Sequence, residues 1–171
     1  MTAGVTLQSK LTINGSLTGA NARGRLKLNL DEIAESFELT PGTDATTKAD
    51  LLFADTRTLA ASTNESLDLA GALSSALGAT ITAAELVLIY VKAHAANTNA
   101  VNVTRPGSNG VPLFLAAGDG VAVKPGQFFL LQSLTGIAVT AGTGDLINIA
   151  NAGAGTSVTY DILVVGRSVA A

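Results

Sequence analysis

Cysteine is absent from the 171 residues, which excludes disulfide staples and thiolate metal ligands at once. Tryptophan is absent too, and aromatics amount to 4%. The core must therefore be assembled from Leu, Val, Ile and Ala, with Phe at a few anchor points. Charged side chains make up 13%, about half the share of an average soluble domain. Long apolar runs are missing as well. The longest strongly apolar stretch is residues 86–91, closed by Glu85 and Lys92, whereas a membrane-spanning helix needs about 20 such residues. The opening residues alternate between polar and apolar, so no secretory leader is expected. An outer-membrane barrel calls for aromatic girdles, which two Tyr and no Trp cannot build. No membrane partner is expected.

What the chain does contain is aliphatic surface in excess. Hydrophobic residues reach 47% and the mean hydropathy is +0.41. A soluble chain of this kind is expected to hide apolar surface against partners, including copies of itself. The length is about that of one domain. A net charge of −3 argues against nucleic acid as a partner, since such proteins carry a basic patch. Arg23, Arg25 and Lys27 are the one basic cluster, and Asp31, Glu32, Glu35 and Glu38 follow directly. That pattern also suits a solvated or protein-facing strand edge.

About half of the charged residues precede residue 51, which predicts a change of role near the turn cluster Pro41, Gly42, Thr43, Asp44. Before it, Val5, Leu7, Leu11 and Ile13 alternate with mostly polar residues, and Asn14, Gly15 and Ser16 are expected to turn the chain. Leu26, Leu28 and Leu30 alternate again. Ile33 and Phe37 have the spacing of one face of a short helix with Asp31 as its cap, and a strand through Phe37 and Leu39 is the alternative. Beyond residue 49 the pattern predicts strands at 51–59, 65–69, 86–93, 101–104, 111–115, 121–123, 128–131, 137–140, 146–149 and 158–165, with a single helical turn within 71–78. Short strands about 8–12 residues apart, separated by Gly-rich turns, indicate an all-β antiparallel sandwich or barrel. A count of eight to ten suits a jelly roll. The chain thus divides into an N-terminal arm or outer layer, residues 1–48, and a β-sandwich domain, residues 49–171.

A search for chemistry returns little. The single histidine, His94, has no carboxylate or nucleophile close in sequence, as acid–base work would require. Ser108 lies between Gly107 and Asn109 in a turn and lacks the spacing of a nucleophile elbow. Gly142, Thr143, Gly144 and the pair Gly153, Gly155 lack the endings of phosphate-binding loops. Asp119 and Asp145 sit beside turn glycines, where Asp hydrogen-bonds its own backbone. No ladder of oxygen ligands suggests calcium. The sequons at Asn14, Asn64 and Asn102 carry little weight without a leader. The chain is expected to be no enzyme and to hold no cofactor or metal.

Residues 57–71 (RTLAASTNESLDLAG), 92–99 (KAHAANTN), 139–145 (VTAGTGD) and 151–160 (NAGAGTSVTY) resemble small structural proteins of tailed bacteriophages, over about residues 50–168. That resemblance implies a virion component on the capsid surface, a capsid decoration (cement) protein with a jelly-roll body. It implies the major capsid protein as partner, together with sister copies in a trimer or dimer, and it brings no catalytic residues. Arg23, Arg25 and Lys27 become candidate contacts to acidic capsid patches. The rival expectations are a tail, head-fibre or spike component that touches the host and, further off, a glycan-binding or glycan-hydrolysing β-sandwich.

Overall fold

Along the last strand Val158, Tyr160, Ile162 and Val164 are buried, while Thr159, Asp161 and Leu163 between them are half-buried. This is the period-two pattern of a strand with two unlike faces, and it organises the whole molecule. The computed structural model describes residues 4–21, 24–75 and 78–171. Eleven strands run in chain order among the described residues: β1 (Leu7–Asn21), β2 (Gly24–Pro41), β3 (Lys48–Ala49), β4 (Leu51–Leu59), β5 (Asn64–Asp68), β6 (Glu85–Ala93), β7 (Val101–Thr104), β8 (Gly120–Val123), β9 (Phe128–Ala138), β10 (Leu146–Asn151) and β11 (Val158–Arg167). They contain no helix.

Three sheets result, ordered β1-β2-β3, β5-β10-β7-β8 and β4-β11-β6-β9. Every pairing is antiparallel apart from β2 with β3. The two four-stranded sheets pack together, and from β4 onward the chain changes sheet at every connection except β7 to β8. Leu67, Val101, Val103, Val123, Ile147 and Ile149 from one sheet share a core with Phe53, Ile89, Val91, Ile162 and Val164 from the other. Each such side chain contributes roughly 1.5–3 kcal/mol on burial, which lets a nearly Phe-poor core hold without cross-links.

A second cluster lies on the opposite side of the β4-β11-β6-β9 sheet. There Val5, Phe37, Leu39 and Ala49 cover Val87, Leu88 and Val165. The first residues of β1, the last of β2 and the short β3 thus seat the N-terminal hairpin on the body.

Several expected elements take another form. The helical spacing of Ile33 and Phe37 belongs to strand β2, in which Ile33, Glu35, Phe37 and Leu39 pair across to Ile13, Leu11, Ser9 and Leu7. Asn14, Gly15 and Ser16 do not turn the chain: β1 passes straight through them, and the pairing register shifts there instead. Residues 111–115 form turns rather than a strand. Pro112 has no N–H to give a ladder, Arg105 Nη1 donates to the Phe114 carbonyl at 3.0 Å, and the Ala116 N–H donates to Asp119 Oδ2 at 2.8 Å. The described part of 71–78 holds turns and one bridge, Ser74 to Thr80, in place of a helical turn. The two short strands expected at 128–131 and 137–140 are joined in β9 over Phe128–Ala138, which bends at Gly136 with φ +77°. A Cβ at Gly136 would lie 2.6 Å from the Glu85 carboxyl group, so both the conformation and the space require glycine.

That close approach marks a buried polar junction. Arg167 is fully buried and its Nε donates to Glu85 Oε2 at 2.6 Å. Nη1 donates to the carbonyls of Thr46 at 3.4 Å and Lys48 at 3.2 Å, and Nη2 to that of Leu134 at 3.0 Å. A second tie joins the facing sheets: buried Tyr160 on β11 donates its hydroxyl to Glu65 Oε1 on β5 at 2.6 Å, and Arg57 Nη2 on β4 meets Glu65 Oε2 at 2.7 Å. Burial, followed by the hydrogen bond to the Glu65 carboxylate, pushes the Tyr160 phenol well above its ordinary value of 10.0.

Two outcomes are expected. Arg167→Ala leaves Glu85 buried without its counter-charge and lowers stability by about 3–5 kcal/mol in equilibrium denaturation, whereas Arg167→Met combined with Glu85→Leu recovers most of that loss. A phenol whose folded pKa is raised contributes fully below the unfolded value and loses that contribution as pH climbs past it. The wild type should therefore lose stability above about pH 10 more steeply than Tyr160→Phe, by up to about 1.4 kcal/mol per pH unit; equal slopes of the denaturation midpoint against pH would contradict the assignment.

Candidate partner-binding surface

The hairpin of β1 and β2 is a two-faced ribbon, and its register explains why. On β1 the apolar residues Leu7, Leu11, Ile13 and Leu17 all hold odd positions. On β2 they hold odd positions from Leu39 to Ile33 but even positions at Leu30 and Leu28. A slip of one residue would throw half of these to the wrong side. The register shift between Ile13 and Gly15 absorbs it: Ile13 pairs with Ile33 but Gly15 pairs with Leu30, so Asp31 and Glu32 together oppose Asn14. This is a β-bulge, and it keeps the apolar side chains on one face. Glu35, opposite Leu11, is the charged residue interleaved among them. The other face carries Gln8, Lys10, Thr12, Ser16 and Thr18 against Glu38, Ser36, Ala34, Asn29 and Lys27. Gln8 Nε2 donates to Glu38 Oε1 across it at 2.7 Å.

Burial changes along the apolar face. Phe37 and Leu39 are covered by the body, but Leu11, Ile13, Leu17, Leu28, Leu30 and Ile33 are 45% to 71% exposed. A smaller open patch lies on the edge strand of the body, where Phe128, Leu130 and Leu134 are exposed. Tyr90 stands beside Phe128 with ring centroids 5.6 Å apart, in contact with the cluster beneath the ribbon.

Of the three basic residues singled out in the sequence, Lys27 is exposed on the polar face opposite Thr18. Arg25 belongs to β2 and pairs with Ala20, and Arg23 lies outside the described residues.

Groups that sequence spacing kept apart do meet on the body. His94 Nε2 lies 2.9 Å from Asp161 Oδ1, and Thr56 Oγ1 donates to the same oxygen at 2.8 Å. The His94 contact first, then that of Thr56, holds the Asp161 carboxyl below its ordinary range. A nucleophilic relay needs the histidine between hydroxyl and carboxylate; here histidine and hydroxyl converge on one carboxylate oxygen, so Thr56 has no base. Asp119 and Asp145 accept turn N–H groups, from Ala116 and Gly142. A cleft of about 370 Å³ between Val5, Leu52, Ala79 and Ile81 contains Asp50, whose two carboxylate oxygens are taken by the backbone and hydroxyl of Ser168. Among the described residues no three His, Asp or Glu side chains gather in metal-holding geometry.

The arrangement can therefore bind through surface area, apolar on one side of the ribbon and polar on the other. The apolar residues were visible in the sequence as alternation. Their common face was not, because the step from Leu30 to Ile33 breaks the period of two. That three-residue step over Asp31 and Glu32 was the available signal for a bulge. No protein-family model, curated protein or solved structure matches the chain.

Proposed function

We propose that this chain is a structural component of a tailed-phage virion, a capsid decoration protein that binds the major capsid lattice and stabilises the head. The observation that carries the reading is the ribbon: a folded body presents a long two-stranded arm whose apolar face it does not itself cover. Such a surface is a marker of a binding site for other macromolecules. The strand orders support a jelly-roll reading of the body. Counted from β4, one sheet holds the first, eighth, third and sixth strands and the other the second, seventh, fourth and fifth. That is the sequence of two interlocked Greek keys, an architecture shared by viral capsid domains and lectins. Fold alone does not assign function; the phage assignment rests on the turn-and-strand phrases of residues 57–71, 92–99, 139–145 and 151–160.

On this reading the protein lies across joints between capsid subunits and adds contact area to a shell under internal pressure. Apolar burial supplies about 25 cal/mol per Å² before the costs of association, and attachment at several points turns modest contacts into lasting ones. Lys27, with Arg23 and Arg25 near it in sequence, faces acidic capsid patches. A tail, fibre or spike role is the second reading, favoured by the exposed patch of Phe128, Leu130 and Leu134 on the edge strand, with Tyr90 packed beside Phe128, since an exposed apolar patch marks an interaction site.

Purified protein added to heads stripped of it should bind saturably, in hundreds of copies per particle, and cosediment with them. Reversal of the basic cluster (Arg23→Glu, Arg25→Glu, Lys27→Glu) should weaken binding at least tenfold and reduce its salt dependence. Absence of wild-type binding to heads would overturn the decoration reading, and a handful of copies confined to the tail or a vertex would favour the rival.

A further inference from the structure

We infer that the apolar face of the β1–β2 ribbon is a self-association surface, occupied by the same face of another copy of this chain. The inference is independent of the capsid reading and rests on four observations. The first is charge. From Ile13 to Leu17 on β1, and at the paired positions Ile33, Leu30 and Leu28 on β2, this face has no ionisable side chain. The ionisable groups nearest this stretch are Asp31 at the bulge and Glu35 opposite Leu11, so the aliphatic stretch between them suits an uncharged surface, and the polar face of the ribbon holds Lys10, Lys27 and Glu38.

The second is relief. Gly15 stands on this face beside Leu17, and a Cβ built on it would meet nothing within 4 Å. Leu17, Leu28 and Leu30 line the resulting hollow together with Ser16, Asn29 and Asp31. Glycine inside a strand weakens it; this one adjoins the bulge, and it also leaves the backbone open to close approach. Leu17 is thus a knob one pleat, about 7 Å, from a hollow. A two-fold related ribbon places its Leu17 at this Gly15 while its own Gly15 receives the first Leu17, which is the reciprocity of an isologous contact. A surface with both halves of the fit on one face is complementary to itself.

The third is area. Six large aliphatic side chains at 45% to 71% exposure leave a face on the order of 600 Å², the upper end of what a monomer exposes. Two such faces together reach about 1,200 Å², the lower bound of stable interfaces. The fourth is continuity. The base of the same face is already packed, through Phe37 and Leu39, on Leu88 and Val165 of the body, so self-association extends an existing apolar contact outward. A two-stranded ribbon alone is marginally stable in water, and a second ribbon supplies the missing layer.

Sedimentation velocity on the full chain at tens of micromolar tests the inference. The wild type should sediment as an oligomer, and Leu17→Lys should dissociate at least tenfold more readily. Thr18→Lys, one residue along on the polar face, should match the wild type. Leu17 is 71% exposed in the single chain, so folding does not depend on it, and an unchanged circular dichroism spectrum checks this. Because the chain has no cysteine, Leu17→Cys and Ser16→Cys provide a second readout with a short bismaleimide. Covalent dimers should form efficiently through Cys at 17 and poorly at 16. A monomeric wild type, equal behaviour of the two lysine variants, or equal cross-linking at 16 and 17 would each overturn the inference. None of these measurements involves capsids, so a failure of head binding leaves the result intact.

Discussion

One guanidinium ties together the return from the ribbon, the end of the body sheet and its edge strand. Arg167 closes β11, its carboxylate partner Glu85 opens β6, and the carbonyls it satisfies belong to Thr46 and Lys48 beneath the ribbon and Leu134 on the edge strand. A buried charge is tolerated only when paired and hydrogen-bonded. Here the requirement works as a specification: the group cannot be satisfied unless the return from the ribbon, the bend of β9 and the end of the body sheet are all in place. Gly136 belongs to the same junction, since a side chain there would occupy the space of the ion pair. The ribbon is consequently seated at its base by both apolar packing and a polar lock.

The distribution of burial then separates two kinds of surface. Between the four-stranded sheets nearly every aliphatic residue is fully covered, and the polar groups that intrude, such as Tyr160 and Glu65, are matched to each other. Along the ribbon the same residue types are left open. Six of the eleven exposed large hydrophobic side chains among the described residues lie on the ribbon, a placement that composition alone could not have located. A body that pairs its intruding polar groups and an arm that leaves aliphatic side chains open is the geometry on which the proposed structural role rests. The His94–Asp161 contact fits the same picture, since it consumes the lone histidine on a carboxylate that also takes the Thr56 hydroxyl.

Legibility in the sequence followed the range of the interaction. Strands β4 and β7 occupy the expected residues 51–59 and 101–104 because period-two alternation and flanking turn residues are local. The all-β character and the absence of long helices follow from the same signal. Ile33 and Phe37 imitated helical spacing because charged Glu35 holds the position between them on the same strand face, leaving apolar residues four apart in a period-two strand. Asn14, Gly15 and Ser16 have turn chemistry but sit opposite the bulge at Asp31 and Glu32, where their small size is used in a strand. Residues 111–115 have the apolar content of a strand, but Pro112 lacks the N–H a ladder needs and the segment forms turns. The polar ties could not be read at all: His94 and Asp161 are 67 residues apart and Tyr160 and Glu65 are 95 apart, and no local pattern links them. Of the basic cluster, sequence supplied the charges but not that Lys27 would face away from the apolar stripe.

That opposition of faces gives the two proposals a physical relation. If ribbons meet through their apolar sides, Lys10, Lys27 and Glu38 remain outward, and assembly places the polar faces of both copies on the two sides of a common stem. Multiplying weak charged contacts in this way raises attachment to an acidic lattice without strengthening any single contact. The two attractions also respond to salt in opposite directions: exposed charges are screened within about 10 Å at 0.1 M, while excluded salts such as sulfate strengthen apolar burial. An oligomer that survives salt and a lattice contact that yields to it would follow from a single ribbon whose two sides differ in chemistry, and the bulge that keeps those sides distinct is what makes that separation of tasks available to so plain a sequence.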